Sequence, residues 1–95
     1  MSGRNKGMKV NIIQAGMTYS KEDGYVGNVH FEVEGHQQGY EITLQSKRGN
    51  DWGYGLFFLS GSGNEEQLLE VEDEIEENDE LFDQLIEAAK SALQQ

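Results

Sequence analysis

The stretch GNEEQLLEVEDEIEENDELFDQLIEAAKSALQQ, residues 63–95, decides the fold. It carries twelve acidic groups and a single base, Lys90, whereas the six bases and six acids of residues 1–63 cancel. The whole formal net charge of −11 therefore sits on the last third of the chain. An asymmetry of this kind bears on solubility and partners rather than on fold. The fold is read from the apolar residues between the charges.

Those residues recur at helical spacing. Leu81, Leu85, Ala88 and Ala92 form one row, and Phe82, Ile86, Ala89 and Leu93 form the next. Together they make a stripe broad enough to lie on a sheet or a second helix. Asn78 suits the N-cap, because its side-chain oxygen can accept from the free backbone N–H groups of the following turn. Asp79, Glu80 and Asp83 then lie near the positive end of the helix dipole and Lys90 near the negative end. A helix over about 79–93 follows.

Residues 65–77 pull in two directions. Asn64 and Gln67 resemble a capping box, and Leu68, Val71 and Ile75 keep helical spacing. Opposing them are like-charge pairs four apart: Glu66/Glu70, Glu70/Glu74, Glu72/Glu76, Asp73/Glu77 and Glu76/Glu80. Each such pair costs about 0.2–0.5 kcal/mol on an exposed helix at low salt. Packing of the three aliphatic residues must outweigh this, and the expectation is a short helix that breaks near Asn78. The alternative is one continuous helix. Leu68, Val71, Ile75, Asn78, Phe82, Leu85, Ala89 and Ala92 alternate by three and four, the spacing of a dimeric coiled coil with a lone Asn in its seam.

Upstream of Gly61-Ser62-Gly63, a flexible link, the period changes to two. From Trp52 to Ser60, Trp52, Tyr54, Leu56 and Phe58 share one face, with Phe57 and Leu59 on the other. That second pair is odd for a sheet with one wet face, and marks a place for a buried contact, either a partner or a homodimer. Gly53 and Gly55 invite close approach of a ring or a backbone. Tyr40, Ile42 and Leu44 alternate with Glu41, Thr43 and Gln45, and Val29, Phe31 and Val33 alternate with His30, Glu32 and Glu34. From Met8 to Tyr19 the phase changes: Met8, Val10 and Ile12 fall on one face, and Ile13, Ala15, Met17 and Tyr19 on the other. Both sets reach the core only if the strand carries a bulge near Ile12–Ile13. Ser20–Gly24, Gly35–Gly39 and Ser46–Asp51 supply turn chemistry.

The fold class expected is therefore α+β: a four-stranded antiparallel meander with one or two C-terminal helices packed on one face. Ninety-five residues suit one such domain. It spans 8–95, with the sheet in 8–60 and the acidic helical region in 64–93, behind a flexible tail at 1–7. No segment approaches the ~20 apolar residues of a membrane span, and the N-terminus lacks the apolar run of a secretory signal. A cytoplasmic location is the default expectation, with no membrane partner.

Chemistry is sparse. The chain has no cysteine, which excludes disulfides and thiolate catalysis. His30 and His36 lie on a strand and in a turn, and a zinc site there would need carboxylates to join them. The acidic run lacks the glycine that turns a calcium loop, and its apolar spacing is helical. No Ser, Thr or Lys sits in a nucleophile motif, and Gly61-Ser62-Gly63-Asn64 leads into Glu65 and Glu66, which repel phosphate. No metal, no cofactor and no catalytic residue is assigned. The charge disfavours nucleic acid, and the alternation places most of the sheet aromatics Tyr25, Phe31, Tyr40, Trp52 and Tyr54 inward, as core.

What remains is a non-enzymatic protein-interaction module. Its expected contact residues are Glu70, Glu72, Glu74 and Glu76 toward a basic protein partner, with Phe57 and Leu59 as an apolar contact or a site of self-association. The alternative is a small-molecule pocket between sheet and helix, with His30 or Tyr54 as its polar groups. A lesser alternative is mimicry of nucleic acid by the helix carboxylates.

Overall fold

The structure is a computed structural model and describes residues 8–93. The tail expected at 1–7 lies outside the described residues. The elements follow in the order β1 (Val10–Ser20), β2 (Gly24–Val33), β3 (Tyr40–Ser46), β4 (Gly53–Phe58), α1 (Glu65–Glu77) and α2 (Asp79–Ser91). The strands pair antiparallel in the spatial order β1-β2-β3-β4. This is the meander that the alternation predicts, and the fold is α+β. Trp52 falls just before the fourth strand, and Leu59 and Ser60 fall just after it.

The bulge is where the phase change places it. Ile12 pairs with Phe31 and Gln14 with His30, so Ile13 is the extra residue. Val10 and Ile12 before the bulge and Ala15 and Met17 after it share the covered face. Ile13 does not join them as expected; it is 51% exposed. The β1–β2 turn depends on Gly24, whose φ of +76° belongs to the left-handed region. A Cβ there would sit 2.5 Å from the Ser46 carbonyl oxygen, so both the conformation and the space require glycine.

The two helices cover one face of this sheet. Val29, Phe31, Tyr40, Ile42 and Leu44 from the strands meet Val71, Ile75, Leu81, Leu85 and Ala89 in one buried cluster. Burying Val71 and Ile75 contributes about 1.5–3 kcal/mol each, which together exceeds the five like-charge pairs at about 0.2–0.5 kcal/mol each. That is why the acidic segment is helical.

Asn78 ends α1 and begins α2. Its φ/ψ of −115°/95° leave the helical region, while its N–H donates to the Glu74 carbonyl at 2.8 Å. Its side-chain oxygen accepts from Glu80 N at 3.1 Å, and its amide Nδ2 donates to Glu74 Oε2 at 3.0 Å. One residue therefore closes one helix and caps the next. The continuous coiled-coil helix is overturned by this break.

Candidate functional site

α1 is the acidic element. Of its thirteen residues, eight are carboxylates and none is basic. It is fixed to the sheet at three polar points. At its N-terminal end, Asn64 caps it by accepting from Gln67 N at 3.1 Å, and the Gln67 side chain accepts from Gln37 N at 3.0 Å. One turn on, Glu70 Oε1 lies 3.2 Å from His36 Nε2, and His36 Nδ1 lies 2.8 Å from the hydroxyl of fully buried Tyr40. At its C-terminal end, the Tyr54 hydroxyl donates to Glu76 Oε2 at 2.7 Å.

Burial first, and the nearby carboxylates second, shift the titration of the two tyrosines. Burial raises the Tyr40 hydroxyl above its ordinary value, with the Glu70 charge adding to it. Burial likewise raises Tyr54, and the Glu76 hydrogen bond and the charges of Glu76 and Glu72 push further in the same direction. Both phenols are held neutral because a phenolate would lose hydration and face carboxylates.

The expected contact residues thus divide by role. Glu70 clamps α1 to the β2–β3 turn and Glu76 clamps it to β4, and Glu74 holds the Asn78 side chain. Glu72 stands beside Tyr54. Among the described residues, Glu65, Glu66, Glu72, Asp73 and Glu77 have no hydrogen-bonded side chain, and no Lys or Arg comes within 4 Å of any α1 carboxylate. The sequence gives helix phase but not reach, so nothing in it distinguished clamp from free carboxylate.

Phe57 and Leu59 lie on the opposite, uncovered face of the sheet, 54% and 37% exposed. The Phe57 ring lies over Gly55, where a Cβ would come within 3.0 Å of its Cε2, and Leu59 lies over Gly39 in the same way. The same face carries a polar cluster in which Glu41 Oε2 accepts from Asn28 Nδ2 at 2.9 Å and lies 3.3 Å from His30 Nε2. The Asn28 hydrogen bond, and to a lesser extent His30, holds the Glu41 carboxyl below its usual range against the opposing effect of burial. His30 and His36 stand on opposite faces. Among the described residues, no three His, Asp or Glu side chains converge as a metal site, and neither histidine hydrogen-bonds a Ser, Thr or Lys side chain.

The buried side chains of the core cluster meet between sheet and helices. Two depressions lie at the ends of the sheet. One, of about 410 Å³, is bordered by Lys9, Asn11, Glu32, Glu34, His36 and Gln37. The other, of about 430 Å³, is bordered by Asp23, Val26, Gln45, Lys47, Asp51 and Gly53. No described helix is long and apolar enough to cross a membrane. Comparison with known protein families, curated proteins and solved structures returns no match.

Proposed function

We propose that the chain is a protein-interaction module that presents the free carboxylates of α1 to a basic protein partner. One observation carries this reading: a helix with eight carboxylates and no base is pinned to the sheet and its β2–β3 turn at three points, and among the described residues no Lys or Arg side chain pairs with its charges. Fixed charge of one sign steers encounter and selects partners by complementarity, with less effect on final affinity. The small-molecule alternative has less support: Phe31, Tyr40, Val71 and Leu85 are buried together between sheet and helices.

The test is affinity capture from host cells with the natural chain and with the triple variant E72Q/D73N/E77Q, which spares the Glu70 and Glu76 clamps. The natural chain is expected to retain basic proteins at 0.1 M salt that the variant loses. The same proteins should be released at 1 M salt, where the screening length falls from ~10 Å to ~3 Å. An identical set of bound proteins for both chains refutes the reading.

A further inference from the structure

We propose that the free edge of β4 binds an extended peptide segment in which basic and apolar residues alternate. The inference rests on the acidic-surface reading above and names the form its partner takes.

β4 is the last strand of the sheet. Leu59 N–H donates to the Gly39 carbonyl at 3.0 Å, two residues beyond the Glu41↔Phe57 pair. Antiparallel pairs alternate between hydrogen-bonded and non-bonded, so Gly53, Gly55 and Phe57 exchange bonds with β3. The N–H and C=O groups of Tyr54, Leu56 and Phe58 therefore point away from β3. Among the described residues these groups have no hydrogen-bond partner. A row of this kind is a template for another strand.

Among the described residues, β4 shows none of the devices that blunt an edge. Residues 53–59 include no charge and no proline, and their register with β3 is unbroken. The other edge strand, β1, is interrupted by its bulge at Ile13.

The two sides of the β4 edge differ. On the helix side, Tyr54 carries Glu76 on its hydroxyl, with the Glu72 charge close by. On the open side, the exposed Phe57 ring lies over Gly55. Side chains of an added strand alternate between these sides. One set meets carboxylates and the other meets Phe57.

Charge also decides against a second copy. Joining β4 to β4 would bring together two α1 helices, each with eight carboxylates and no base. A cationic segment neutralises what a second copy doubles.

The experiment uses the isotope-labelled full chain and two synthetic peptides of identical composition, one alternating Lys and Val over eight residues and one with four Lys followed by four Val. Amide exchange is read by NMR. The alternating peptide is expected to bind about tenfold more tightly, a difference of about 1.4 kcal/mol. It should slow exchange at Tyr54, Leu56 and Phe58 while leaving Gly55 and Phe57 unchanged. Phe57→Lys, which places a cation on the edge, should abolish the preference between the peptides.

Equal binding of both peptides, or protection that skips those three amides, overturns the edge inference. If that binding still weakens in E72Q/D73N/E77Q, the acidic-surface reading stands without it. Binding of neither peptide overturns the edge inference and leaves the acidic-surface reading to the capture experiment. Protection that grows with protein concentration in the absence of peptide assigns the edge to a second copy and overturns the inference.

Discussion

Replacing Tyr40 by Phe isolates one atom of the tie between α1 and the sheet. The ring is fully buried, with centroids 5.6 Å from Phe31 and 5.9 Å from Phe58, and the substitution keeps all of that packing. No cavity term applies. What is lost is the 2.8 Å hydrogen bond to His36 Nδ1, on an imidazole whose side chain is only 9% exposed. A buried polar atom left without its partner costs about 1–3 kcal/mol. For a domain of this size each kcal/mol lowers the melting temperature by about 4–8 °C. Glu70→Gln, at the other end of the same chain of contacts, should cost much less. Glu70 is 64% exposed, so water can replace its contact with His36, and exposed contacts of this kind contribute about 0–1 kcal/mol. Urea denaturation of both variants, followed by the fluorescence of Trp52, measures the order. Tyr40→Phe within 0.5 kcal/mol of the natural chain (about the scatter of a neutral surface change), or Glu70→Gln the more destabilised, would refute the claim that the buried end of this relay carries its energy.

Three further outcomes are expected. Asn78→Ala removes the α2 cap and the Glu74 contact together, and should lower stability by about 1 kcal/mol with a loss of helical circular dichroism; an unchanged unfolding midpoint would count against the shared-cap reading. Tyr54 has a raised folded-state pKa, so its contribution is complete below the unfolded value of 10.0 and declines as pH rises beyond it. The natural chain should therefore lose stability at alkaline pH more steeply than Tyr54→Phe, and parallel pH profiles would contradict that assignment. Ile13→Ser should leave stability within about 0.5 kcal/mol, as for an exposed residue, whereas Ile12→Ser on the covered face should cost more; equal losses would mean that the bulge is misplaced.

Strand order and the covered face were legible because period two leaves a mark at each position. Val29, Phe31 and Val33, like Tyr40, Ile42 and Leu44, can face a core only as strands. The bulge was legible for the same reason, since β1 holds apolar residues in two incompatible phases. Which isoleucine is extra was not. Ile12 and Ile13 are chemically identical, and only pairing of Gln14 with His30 decides between them. The break at Asn78 could be read because a cap and an accumulation of acid coincide there. The clamps could not be read. His36 sits in a turn of glycines and glutamines, and nothing local announces that it reaches Tyr40 on one side and Glu70 on the other. Likewise, carboxylate spacing shows that Glu72 and Glu76 share a helix face but not that Tyr54 donates to one of them.

A solubility role and an interaction role for the acid lead to different expectations for α1. Carboxylates kept only for solubility serve equally well at any exposed site, and the uncovered sheet face has room for them at Thr43 and Gln45. Instead they crowd α1, where Glu72/Glu76 and Asp73/Glu77 repel and Glu77 faces the negative helix end. Neutralising Glu72, Asp73 and Glu77 relieves two pairs at about 0.2–0.5 kcal/mol each and one unfavourable dipole contact at about 0.3–1 kcal/mol. The triple variant should therefore be about 1 kcal/mol more stable at low salt, and the gain should shrink as salt rises. Under the interaction reading the same variant captures less partner, so stability and binding move in opposite directions. A variant that is more stable and captures the same proteins would show that the charge on α1 serves no contact, and a variant of unchanged stability would show that the repulsion in α1 is already screened.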